Sequence, residues 1–138
     1  MSGEYVGKLK RRALSFLKEA EEAVDKDLAA FFAEQAMQLY LKAAFYELFG
    51  DRVKGHGLRE LLSAFSKSLE RSGYREAAER VREFVGEFRG KLILAEDAYT
   101  GARYGDLSYD QRDVNELLEV ARRLISLLNQ VIEIVKLG

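Results

Sequence analysis

Apolar residues recur at three- and four-residue intervals along almost the whole chain. The alternation that marks a half-buried strand is nearly missing, so the pattern predicts helices. From Glu4 to about Glu22, the residues Leu9, Ala13, Phe16, Leu17 and Ala20 form one face of an amphipathic helix, which the segment AVDKD closes. Asp25 or Asp27 can cap the next helix, because a short carboxylate accepts the free amide protons of a first turn and suits its positive end. This second helix, about Leu28 to Phe49, is apolar over most of its circumference, with Phe31, Phe32, Met37, Leu41, Phe45 and Leu48 pointing several ways. A helix of that kind must be covered on more than one side, so it is central to a bundle or it also faces a second protomer.

A loop over Gly50–Gly57 leads to a third helix carrying Leu58, Leu61, Leu62, Phe65 and Leu69, which ends near the segment RSG. Ser72 is placed to cap a fourth, about Tyr74 to Ala98, with Ala77, Val81, Phe84, Phe88, Leu92 and Ala95 on its apolar face. Gly86 and Gly90 inside it mark a bend or a close helix crossing, since each weakens an exposed helix interior by about 1 kcal/mol relative to alanine. Residues 99–108 read as a loop, and Ser108 with Gln111 has the S-x-x-Q form of a capping box for a last helix that runs to about Lys136. Five helices joined by short loops predict an all-α, mostly up-and-down antiparallel bundle.

The length of 138 residues suits one domain, and no linker-like segment or internal repeat divides it. Proline is absent, which permits long uninterrupted helices. With 22 basic and 23 acidic residues the chain has no net field to draw in nucleic acid or an anionic membrane, which argues against both as partners. The absence of cysteine excludes disulfides, thiolate metal sites and thiol nucleophiles, and a single histidine argues against a histidine zinc site within a protomer. The N-terminal segment has no apolar core of signal-peptide length, and no run of about 18 apolar residues occurs, so a soluble cytoplasmic protein is expected. High charge with few asparagines and methionines suggests a thermophilic source. The basic clusters Lys8, Lys10, Arg11, Arg12 and Arg122, Arg123 read as solvated faces balanced by nearby glutamates.

Three stretches in order, FFAEQAMQLYLKAAFYELFG, GHGLRELL and DAYTGARYGD, carry a family resemblance. The first contains A-x-Q-A-x-x-x-x-L-K-A, met by Ala33, Gln35, Ala36, Leu41, Lys42 and Ala43; the second starts a helix with His56 and Leu58; the third has Tyr99, Arg103 and Tyr104. Over about residues 5–136 the chain resembles the HEPN domain, a small helical bundle of archaea and bacteria. Two positions depart from the family pattern: Gln38 stands where many relatives have Glu, and Gly105 where a proline usually follows the Arg-Tyr pair. The first weakens a carboxylate role at that helix position; the second leaves the loop less rigid than usual.

What the resemblance implies divides in two. Catalytic relatives are metal-independent ribonucleases in which Arg, four to six residues and His sit near the start of the last long helix, paired across a homodimer. Imidazole there moves a proton while guanidinium stabilises the phosphate. No histidine lies beyond His56 here, and Arg52 and His56 have only three residues between them in a different loop. No catalytic residue is therefore assigned, and neither metal nor cofactor is expected; a divergent ribonuclease is kept as an alternative.

Other relatives are binding subunits that pair with a minimal nucleotidyltransferase in toxin–antitoxin fashion, or resemble the helical domain of aminoglycoside nucleotidyltransferases. On that reading the chain is a homodimeric, non-catalytic partner subunit that also binds nucleotide. The candidate residues are Tyr99, Arg103 and Tyr104, the stripe Gln35, Gln38 and Lys42 on one helix face, and His56. Arginine clamps phosphate and tyrosine stacks on a base. The structural alternative is preferred at each: a packed bundle end for the Tyr-Arg-Tyr loop, a polar seam for the stripe, and a helix cap for His56. A dimeric scaffold without a small ligand is the third reading.

Overall fold

The computed structural model describes Ser2–Gly138, with the backbone alone described for Ser2 and Arg103. Six helices follow one another: α1 (Ser2–Glu22), α2 (Lys26–Phe49), α3 (Leu58–Arg71), α4 (Arg75–Glu87), α5 (Arg89–Gly101) and α6 (Gln111–Leu137), with a 3-10 turn at Ala102–Tyr104 before the last. Among the described residues there is no strand, and no helix is long and apolar enough to cross a membrane. The fold is the all-α bundle that the apolar spacing predicts.

α1 and α2 are joined by residues 23–25 and make the most extensive helix contact in the molecule, an antiparallel hairpin. Asp25 settles the choice of cap: its Oδ1 accepts the N–H groups of Asp27 at 2.9 Å and Leu28 at 3.2 Å. Asp27 instead accepts the Tyr109 N–H at 2.9 Å, which fixes the start of α2 to the segment before α6. α2 is central, with α1, α3, α5, α6 and the 3-10 turn all packed on it. Its last turn is tied across the bundle by Glu47, which accepts Lys10 Nζ of α1 at 2.7 Å and Lys136 Nζ of α6 at 2.5 Å. Tyr40 donates to Asn129 Oδ1 at 2.6 Å and makes a second α2–α6 link.

Three expectations are corrected. The single helix over 74–98 is two, because Phe88 leaves helical geometry at φ −107°, ψ 18°. Apolar spacing runs through the break, since Phe84, Phe88, Leu92 and Ala95 are all buried on one side, so periodicity alone does not reveal it. Gly86 and Gly90 flank the bend and neither marks a close crossing: a Cβ on either would meet nothing within 4 Å. Ser72 does not cap α4; it closes α3, donating its N–H to Ser68 and Leu69 carbonyls, while Tyr74 occupies the α4 cap position. The α6 capping box is Asp110 with Asp113 rather than Ser108 with Gln111: Asp110 Oδ1 accepts Asp113 N–H at 2.8 Å and Asp113 Oδ2 accepts Asp110 N–H at 3.1 Å.

The region 99–108 is less of a loop than expected, since α5 continues to Gly101 and the 3-10 turn follows directly. Gly105 ends that turn at φ 74°, a left-handed conformation closed to proline. Gly105 therefore changes the backbone path, in addition to the stiffness, relative to a chain with proline there.

Replacing Asp110 by Ala should lower unfolding free energy by about 1 kcal/mol in a denaturant titration, while Ser108→Ala should change it by less than about 0.5 kcal/mol. Equal effects of the two substitutions would contradict the assigned cap.

Candidate functional site

Between Leu28 and Tyr46 the only acidic residue is Glu34 and the only basic one is Lys42. Helical spacing places Glu34, Gln38 and Lys42 one turn apart on a single face. Glu34 is fully buried, at 0% exposed. A carboxylate in such a place must be paired or neutralised, because removing its charge from water is costly. Its Oε1 accepts Gln35 Nε2 and its Oε2 accepts Gln38 Nε2, each at 2.8 Å. Burial pushes the Glu34 carboxyl up to about 7; the two amides and Lys42 oppose the rise and Glu96 adds to it. Burial also lowers the Lys42 ammonium from its ordinary value, partly offset by Glu34.

Glu96 comes from α5 and is held by Arg59 of α3, whose Nε and Nη2 donate to it at 2.8 and 3.0 Å. Glu96 Oε2 also accepts the Arg59 backbone N–H at 3.2 Å. The cap position of α3 is Gly57, which has no side chain to offer, so a carboxylate from another helix serves its first turn. His56 does not take the capping role expected of it. Its ring lies flat against Tyr99, centroids 4.3 Å apart and planes at 10°. It also lines a surface cleft of about 280 Å³ with Val53, Glu60, Leu61 and Ala64.

Tyr99 in turn lies 6.3 Å from the ring of Phe31, one turn before Gln35 on α2. The structure thus brings Gln35, Gln38, Lys42, Tyr99 and His56 to one side of the molecule, where α2 meets α5 and the 51–57 loop. Tyr104 is exposed on the 3-10 turn, which packs on both α2 and α5. Arg103 lies in the same turn, and its side chain is outside the described residues. Arg52 is drawn elsewhere: its guanidinium sits 4.0 Å from the Tyr5 ring centroid and 5.6 Å from that of Tyr46, so it and His56 serve different neighbours.

The HEPN domain family model matches residues 6–131. This chain belongs to the HEPN domain family. No curated protein and no solved structure matches it. In this HEPN chain the last helix carries no histidine, and the polar residues gathered at α2 and α5 are carboxylates, amides and cations. Such a set can bind and exchange protons at one buried carboxyl.

Glu34, Glu96, Arg59 and Phe31 were not among the residues expected from the sequence. The signal for Glu34 was present, a lone acid in a helix apolar on most sides. Arg59 and Glu96 lie 37 positions apart and no local pattern links them.

Below its ordinary value of 4.5, Glu34 is protonated whether the chain is folded or not. Between 4.5 and about 7 the folded chain keeps a proton that the unfolded chain releases, so folding stability falls as pH rises through that window and levels off above it. The loss is on the order of 3 kcal/mol. Thermal melts should show the wild type less stable at the alkaline end of this range than at the acid end, and Glu34→Gln should flatten the slope. An unchanged slope in that variant would assign the pH dependence to another group.

Proposed function

We propose that the protein is a non-catalytic HEPN binding subunit, with residues 1–138 acting as one domain. It pairs with a second copy of itself and, in the cytoplasm, with a minimal nucleotidyltransferase in toxin–antitoxin fashion. The observation that carries this reading is one partly exposed stripe along α2 made of Leu28, Phe31, Phe32, Gln35, Leu39, Lys42 and Tyr46, whose flanks meet Phe16 and Tyr5 of α1 and Tyr99 of α5 while its outer side stays open. Apolar residues in it supply contact area, and Phe31 among them meets Tyr99, which stacks on His56.

The stripe is self-complementary in charge. Its N-terminal end has Asp25 and Asp27 against Lys26, and its C-terminal end has Lys42, Arg52 and Lys54 against Asp51, Glu47 there being paired already with Lys10 and Lys136. Two copies meeting with their α2 helices antiparallel, as a two-fold axis permits, set acid against base and opposite helix dipole ends together. At the edge of that contact lie Gln35 and, beyond it, Gln38 and Lys42, while Phe31 carries Tyr99, which stacks on His56 and precedes the turn bearing Arg103 and Tyr104. Aromatic rings there hold a nucleobase by stacking, and cations hold its phosphates.

Native mass spectrometry should report a dimer for the wild type and a monomer for Leu28→Asp, which places a charge on the stripe at a residue 39% exposed. Arg103→Ala should abolish ATP binding measured by calorimetry with little change in melting temperature. A wild-type monomer would refute the contact face. A dimer that binds no nucleotide would favour the plain scaffold.

A further inference from the structure

A carboxamide has two different ends: its NH₂ group donates and its carbonyl oxygen accepts. Gln35 and Gln38 each turn the nitrogen end toward Glu34. An ionised carboxylate can only accept, so it fixes both amides in that sense. A carboxylic acid can donate its proton, and it is satisfied with one amide reversed and presenting oxygen. Lysine or arginine in place of these partners has no acceptor and cannot follow the change. The hydrogen-bond partners of Glu34 are therefore groups that serve both of its charge states.

Where the outer ends of the amides lie follows from the same bonds. Among the described residues no buried side-chain nitrogen or oxygen lacks a hydrogen-bond partner. The carbonyl oxygens of Gln35 and Gln38 are not engaged by protein donors, so neither is sealed from solvent: that of Gln35 opens on the α2 stripe, and that of Gln38, a residue only 6% exposed, lies at the stripe's inner edge one helical turn before Lys42.

We infer that Glu34 is a positioning residue that, as a carboxylate, turns the Gln35 and Gln38 carbonyl oxygens away from itself toward the face between Phe31 and Lys42, so that this face selects the amino-bearing edge of a nucleobase, and that on taking up a proton it reverses one amide and relaxes this selection. The ligand class rests on the nucleotide reading above; the device itself rests on the hydrogen-bond geometry. Among the described residues the charged groups that act on Glu34 are Lys42 on its own helix and Glu96 on α5, the latter paired with Arg59 of α3, and none comes from α1 or α6. Burial sets its titration near neutrality. Rising pH ionises Glu34 and imposes the selective state.

The test uses the full chain and two probes, adenosine monophosphate and inosine monophosphate, which differ at the base edge by an amino group against a carbonyl oxygen. Nitrogen–proton NMR spectra of the glutamine side chains, recorded without ligand, should show Gln35 and Gln38 titrating together with a midpoint near 7. In Glu34→Gln both should stay still. Above the midpoint adenosine monophosphate should bind about tenfold more tightly than inosine monophosphate, the discrimination expected from one mispaired polar contact, and below it the ratio should approach one. Resonances that do not titrate, or that titrate equally in Glu34→Gln, would overturn the positioning role. Equal affinities on both sides of the midpoint would overturn the selectivity. Amides that titrate as expected while neither nucleotide binds would refute the nucleotide reading and leave the positioning role standing.

Discussion

Close approach to α2 is the constraint on which the other helices depend. Ala29, Ala30, Ala33, Ala36, Ala43 and Ala44 are all fully buried along it, so neighbouring backbones come nearer than larger side chains allow. Larger residues fill what remains: Met37, Leu41 and Phe45 point into the core, and Phe45 meets Phe65 of α3 edge to face with centroids 5.1 Å apart. With α1 on one flank and α5 and α6 on others, the apolar circumference that raised the question of a second protomer is mostly satisfied within one chain. Only the narrow stripe from Leu28 to Tyr46 is left partly open, and Gln35 and Lys42 interrupt its apolar residues.

A buried carboxylate inside such a helix works against folding, and stability and site chemistry are therefore coupled at one residue. Glu34 remains in place because two amides complete its hydrogen bonds, and because the nearest carboxylate, Glu96, is already neutralised by Arg59. Removing Arg59 would set two carboxylates against each other across α2 and α5. The guanidinium thus supports the site without belonging to its surface, and through Glu96 it also holds the first turn of α3.

The helices were legible because burial on one side imposes a period that every one of them obeys, and α1, α2, α3 and α6 lie close to where spacing put them. What periodicity could not show is geometry that leaves the period intact. Phe88 departs from helical dihedrals while keeping its side chain in line with Phe84 and Leu92, so α4 and α5 read as one. Caps were half legible: Asp25 and Asp27 both suit the position before α2, and before α6 the S-x-x-Q spacing of Ser108 and Gln111 matches the same pattern as Asp110 with Asp113, which forms the reciprocal pair. At the site, the spacing of Gln35, Gln38 and Lys42 is visible in the sequence, whereas the burial of Glu34 among them depends on tertiary packing, since a single acid in an apolar run also fits a solvated position. His56 beside Tyr99 joins a loop to α5 over a separation that no local pattern encodes.

Glu47 gives the bundle a different kind of economy. It is one carboxylate, 14% exposed at the side chain, shared by an ammonium group from α1 and another from α6. Neither lysine forms its bond independently of the other, since both draw on the same negative charge, and the acid holds close together two cations that would otherwise repel. The first and last helices are thereby made interdependent through a third, so the contribution of either ion pair has no fixed value of its own and is defined only with the other present.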